Sequence, residues 1–208
     1  MELYTKNHDP SWNRIVHIYV HDDQKVSKYI NEKELYKVVV LSEGTLTLKE
    51  NDVKRLVPAP ALMLVTDNEL AVANSKNMKA TTVYFKPTEV REEFTIERIK
   101  SGEFENEMGR TIYQDYLAIR NFFIKEEAMK SYLSLTDISY DSCINLLSKL
   151  KKELTVQYDG FWPCRSRSYF IELLFFLNTQ TFNNGFYIIK RSTIIEIKVH
   201  FVFQRFDR

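Results

Sequence analysis

The sequence predicts an α+β protein, an antiparallel β-barrel followed by a helical segment. Three observations carry this. Residues 12–86 hold several short β-branched and aromatic runs with turn residues between them, the pattern of a sandwich or barrel. After Pro87-Thr88 the apolar residues recur at helical spacing instead. No strand–helix–strand alternation occurs, which argues against a parallel sheet.

The strand region opens with one run, Ile15–Val20, in which Ile15, His17 and Tyr19 alternate with Val16, Ile18 and Val20. Leu35–Leu41 is a second run, punctuated by Ser42-Glu43-Gly44. Thr45–Lys49 alternates, with Leu46 and Leu48 on one face. Glu50-Asn51-Asp52 makes a polar turn, and Val53–Val57 runs into Pro58-Ala59-Pro60. Two prolines so close end a strand, because each lacks a ladder donor. Ala61–Val65 is a short apolar strand stopped by Thr66-Asp67-Asn68, and Leu70–Ala73 and Thr81–Phe85 complete the set.

In the helical region Val90, Phe94 and the pair Glu97/Arg98 fit one short helix capped by Thr88. Ile112, Tyr116, Ile119 and Phe123 form a stripe on a second helix, and Ser131–Leu135 has the composition for a brief return to strand. Ser139 or Asp141 is expected to cap a third helix bearing Cys143, Leu147, Leu150 and Leu154, and Gly160 to stop it. A fourth helix, about Ser166 to Asn178, is apolar nearly all round and must be covered on most sides. The expected divisions are thus a barrel over 12–87, a helical segment over 88–190 and a tail over 191–208.

The chain has 208 residues, a net charge of +1, 44% hydrophobic and 13% aromatic residues. Such a chain folds rather than staying disordered, and its neutral balance argues against a nucleic-acid-binding surface. Cys143 and Cys164 are too few for a disulfide framework and read as packing residues in a reducing compartment. No N-terminal stretch has a secretory pattern, and Tyr169–Leu177 is too short to span a bilayer. A cytoplasmic protein without membrane contact is expected.

Catalytic chemistry finds few footholds. His8, His17, His21 and His200 are the only histidines, none within Leu35–Phe85. His17 and His21 flank a strand and would diverge rather than share a metal. Arg165 and Arg167 flank Cys164 and bear on its thiol, so a redox sensor is the alternative to a simple helix-entry turn, where the arginines would pair with Asp159 or Glu172. No catalytic residue, metal or cofactor is expected, and no enzyme activity.

Asp159–Leu177 reads DGFWPCRSRSYFIELLFFL. This resembles the segment joining sensor to DNA-binding domain in a subset of AraC-family transcription regulators, where W-P-C-R-x-R-S-Y followed by an E-L-L helix recurs. Tyr36–Thr45, Val57–Val65 and Val83–Val90 are similar to phrases of that family's cupin-like sensor domain. The resemblance spans roughly residues 12 to 190. It implies a barrel of the double-stranded β-helix type that binds a small molecule or peptide, helices that pair protomers, and a linker motif at Trp162, Pro163, Cys164, Arg165, Arg167 and Tyr169. A pair of helix-turn-helix units follows in the family, whereas only a short tail follows Ser192 here. The expectation is a truncated regulator that reaches DNA only through a domain absent from this chain. The tail also departs from the pattern, since Ile197, Val199, Phe201 and Phe203 alternate at period two.

Two sets of residues are singled out from this reading. Phe170, Leu173, Leu174 and Leu177 make a narrow seam that, with Leu147, Leu150 and Leu154, is expected to form a homodimer interface. Tyr36, Val38, Leu46, Met63 and Tyr84 are expected to line an effector pocket, the alternative being a barrel filled by its own side chains. A stand-alone cupin enzyme and a truncated paralogue that heterodimerises with intact regulators are the competing functions.

Overall fold

Two fifteen-residue strands organise the sheet. In the computed structural model, which describes residues 3–11, 13–23, 35–50, 53–65, 71–107, 110–120, 122 and 132–183, β1 is Thr5–Lys6, β2 Ile15–Val16 and β3 Ile18–Asp23. Strand β4 is Tyr36–Glu50, β5 Val53–Pro58, β6 Ala61–Val65, β7 Ala71–Phe85 and β8 Tyr132–Ser134. The helices are α1 (Ile96–Lys100), α2 (Thr111–Arg120), α3 (Asp137–Val156) and α4 (Trp162–Asn183). The expected tail and Phe123 lie outside the described residues.

Strands β4 and β7 pair antiparallel along their whole length. The runs Leu35–Leu41 and Thr45–Lys49, which read as two strands, are one strand, and the same holds for the two halves of β7. Ser42-Glu43-Gly44 does not turn the chain. It shifts the register between Leu41 and Thr45, with Gly44 at φ 81° and Asn77 at φ 44° on the facing strand. An extra residue in a ladder moves all later side chains to the opposite face. Leu46 thereby joins Val39 and Leu41 in one buried cluster, although Leu46 lies an odd five positions after Leu41. Conversely, Ile15–Val20 splits at His17, whose N–H donates to the Glu89 carboxylate (2.6 Å). Strand β2 then pairs with β1, and β3 with β7.

The sheet runs β3-β7-β4-β6-β8, with β5 added to β4. Among the described residues its end strands β3 and β8 do not pair, so the expected closed barrel is replaced by an open antiparallel sheet with helices. The physical reason lies in what covers the first face. Tyr36, Val38 and Val40 of β4, Leu62 of β6, and Val83 and Phe85 of β7 pack against Phe122, Leu150, Phe170, Leu173, Leu174 and Leu177. The Phe85 ring lies 4.7 Å from that of Phe170 and 5.3 Å from that of Phe122. Helices thus supply the apolar cover that a second layer of sheet would otherwise provide.

Helix boundaries follow side-chain caps more than the apolar stripe suggested. Pro87–Glu89 is a 3-10 turn, and α1 starts only after Thr95, whose hydroxyl accepts from Arg98 N. Thr136, not Ser139 or Asp141, caps α3 by accepting from Ser139 N (3.3 Å). Gln157, not Gly160, takes the left-handed conformation that ends α3 (φ 48°, ψ 51°). Helix α4 starts four residues earlier than its apolar run, because Pro163 is tolerated in a first turn and Asp159 accepts from the N–H of Phe161 (2.8 Å). Helices α3 and α4 form an antiparallel hairpin. The Ser139 hydroxyl donates to Gln180 (2.8 Å) at one end, and Arg165 meets Glu153 (2.8 Å) at the other.

Two outcomes test this architecture. Leu150 is fully buried between hairpin and sheet. Leu150→Ala is expected to lose about 2–5 kcal/mol in chemical denaturation. The second concerns Asp22 of β3, which accepts from Lys151 of α3 and from Thr81. The Lys151 hydrogen bond holds the Asp22 carboxyl below its ordinary range. A depressed carboxylate contributes stability above its unfolded pKa of about 3.9 and loses it as pH falls through the folded value. Asp22→Asn should therefore melt below wild type at pH 7, with the difference shrinking below about pH 3.9 and gone once pH has passed the lower folded value.

Candidate functional site

The linker motif occupies the turn of the hairpin and the first turns of α4. Trp162 is buried, and its indole N–H donates to Asn7 Oδ1 (2.7 Å). Arg165 bridges the two arms of the turn. Its guanidinium contacts Glu153 Oε2 (2.8 Å) near the end of α3 and Asp159 Oδ1 (2.9 Å) in the loop. Glu153 and then Asp159 hold Arg165 firmly in its charged form. The Phe161 N–H, followed by Arg165, depresses the Asp159 carboxyl. The expected pairing with Asp159 is present, while Glu153 replaces Glu172. Arg167 instead donates to the carbonyl of Val90 (2.8 Å), tying α4 to the segment after the sheet. Tyr169 lies under the Lys149 ammonium, 5.8 Å from ring centre to Nζ.

Cys143 and Cys164 are free thiols in contrasting settings. Burial pushes the Cys143 thiol up to about 12, so it packs as a small apolar group. Cys164 is exposed, and its arginine neighbours are engaged with Glu153, Asp159 and the Val90 carbonyl.

The seam expected to pair protomers is occupied by the chain itself. Leu147, Leu150, Leu154, Phe170, Leu173, Leu174 and Leu177 are all buried in the core that α3, α4 and the sheet share. The apolar side chains that face solvent on the hairpin are others, among them Ile138, Val156, Phe161 and Phe175.

The five pocket residues are all buried, but they do not meet. Tyr36 and Val38 lie on the helix-covered face. Leu46 and Met63 lie on the second face with Val39, Leu41, Val57, Ala61 and Val65. Tyr84 belongs to a third group with Leu3 and Leu35. The strand period accounts for this, since Tyr36 and Val38 share one parity and Lys37 and Val39 the other. Cross-strand partners share a face, so Tyr19, Tyr84, Lys37 and Val65 make one rung, and His21, Thr82, Val39 and Met63 the next. Lys37 and Thr82 are buried on this second face. Tyr19 lies 6.3 Å from Tyr84 and stacks on His21 at 6.1 Å.

Sequence reasoning passed over Lys37. Its signal was present, as a lone cation inside the apolar run LYKVVVL, where a charged side chain is seldom buried without a purpose. Among the described residues no three His, Cys, Asp or Glu side chains converge. His17 faces Glu89 (3.1 Å) while His21 lies on the second face with Tyr19. None of the described helices is long and apolar enough to cross a membrane.

The two thiols give a direct check on the hairpin. At mildly alkaline pH a chromogenic disulfide reagent should titrate Cys164 in the folded protein, with Cys143 reacting only in denaturant. Two fast thiols in the native state would contradict the packing of α3.

Comparison with known proteins places no family label on the chain. No family model matches the sequence, and no curated protein matches it. Among solved structures, apo ToxT K231A from Vibrio cholerae strain SCE256 aligns with 84% of this chain at 13% identity and a TM-score of 0.41. The alignment takes in 59% of that protein's length.

Proposed function

We propose that this chain is the effector-sensing half of an AraC-type transcription regulator. In this reading the second face of the sheet receives a small molecule or peptide, the α3–α4 hairpin pairs protomers into a homodimer, and the described residues sense rather than touch DNA. The observation that carries the reading is where D-G-F-W-P-C-R-S-R-S-Y sits. A segment resembling a sensor-to-DNA-binding joint forms the turn of a hairpin packed across the sheet, with Trp162 and Arg165 fixing its geometry.

The second face has the composition of a ligand wall. Ligand sites are mostly apolar and aromatic with a few placed polar groups. Here Val39, Leu41, Met63 and Tyr84 supply the former, and Lys37, Thr82 and His21 the latter. Lys37 brings an ammonium to this face, so an effector with an anionic end is the first class to test. Pairing of protomers would use the solvent-facing side of the hairpin, since its inner seam is filled.

A thermal-shift screen of small carboxylic acids, neutral metabolites and short peptides tests the sensing role. Ligand that binds only the native state raises the melting temperature, with about 2.7 kcal/mol at a hundredfold excess over Kd. An acid is expected to stabilise wild type and to lose that effect in Lys37→Met. Stabilisation by neutral metabolites alone, or an unchanged response in Lys37→Met, would remove this face from the reading. A specific, tight promoter complex formed by this chain alone would sink the sensing-only assignment.

A further inference from the structure

We propose that residues 3–11 form a strap that joins the second face of the sheet to the turn of the α3–α4 hairpin and opens as one cooperative unit. The proposal stands independently of the regulator reading.

The strap is anchored at both ends within six residues. At the sheet end Leu3 is buried against Leu35 and Tyr84, and the Thr5 hydroxyl donates to the carbonyl of Ile18 (2.8 Å). At the hairpin end the Gln157 carboxamide grips the backbone at two points. It accepts from His8 N (2.7 Å) and donates to the Lys6 carbonyl (2.8 Å). Trp162 adds its bond to Asn7, and Arg14, on the return arm, donates to the carbonyl of Gly160 (3.0 Å). The left-handed backbone of Gln157 ends α3 and carries the residue whose amide makes this grip.

Between strap and turn lies a cleft of about 370 Å³ lined by residues of both, including His8, Arg14, Gln157 and Trp162. Apart from the buried Trp162, the hydrogen bonds at this end are exposed, and the strap's own strand pairing is two residues long. Segments held by few, solvent-facing hydrogen bonds open below the global unfolding free energy. From Leu3 to His8 an extended chain spans only about 17 Å. Displacement at Tyr84 is therefore felt at Gln157 and Trp162, which makes the strap a mechanical link from sheet face to hairpin turn.

Hydrogen exchange in the full chain tests this through a double-mutant cycle. Leu3→Ala and Gln157→Ala should each lower protection of the His8 amide and of segment 3–11 by about tenfold, the scale of one or two lost hydrogen bonds. The double variant should lose protection by about the product of the two single losses, because both contacts break in the same opening. Amides at Leu147 and Leu150 should stay as in wild type. If Leu3→Ala also loosens those core amides, Leu3→Val takes its place under the same criterion.

Fluorescence supplies a second readout. In a Trp12→Phe background, acrylamide quenching of Trp162 should rise on Leu3→Ala, although Leu3 and Trp162 belong to separate clusters. A Leu3 variant that leaves His8 and Trp162 unchanged, or a Gln157 variant that leaves the amides at Tyr4 and Thr5 unchanged, would overturn the proposal.

Discussion

The rest of the structure depends on covering one face of a sheet that cannot cover itself. Phe85, Val83, Tyr36 and Val38 present a continuous apolar surface, which in water drives its own burial at roughly 25 cal/mol per Å². Phe170 and its neighbours on α4 meet that surface, with the Phe85 and Phe170 rings 4.7 Å apart. Once this contact forms, α3 is placed by the hairpin, Arg167 reaches the Val90 carbonyl, and the Lys151 side chain falls beside Asp22 at the sheet edge. The motif at the hairpin turn is held where it is because the sheet needs a roof.

Much of this order could be read from residue patterns. The change from strand to helix after Phe85, strand β6 and the apolar stripe of α3 followed directly from period and turn residues. Boundaries were less legible, because they depend on single hydrogen bonds. Thr136 outcompetes Ser139 as a cap through geometry that composition does not encode, and Gln157 bends left-handed while a glycine lies three residues on. The closure of the sheet was not legible either. A run of short strands is compatible with a barrel or an open sheet, and the choice falls to whatever covers the apolar face.

The candidate sites divide in the same way. The linker motif was legible as a residue string resembling a family phrase; of its partners only Asp159 for Arg165 was legible, while Asn7 for Trp162 and Glu153 for Arg165 come from the fold. The apolar runs that hold the pocket residues leave open which alternating set faces inward, and the register in β4, β6 and β7 decides which face each one serves. Lys37 shows the complementary lesson. A charged residue in an apolar strand carries more information about a site than the hydrophobic neighbours that surround it.

The register shift near Gly44 has a consequence for how this sequence tolerates change. Because side chains alternate with period two, the extra residue between Leu41 and Leu46 keeps both on the inside of the second face. The extra residue in β4 is matched by one in β7, so removing a residue here alone would leave β7 unmatched and turn Leu46 to the opposite face, without altering a single hydrophobic side chain. The segment thus reads like a phase mark: its length is under tighter constraint than the identity of the residues within it.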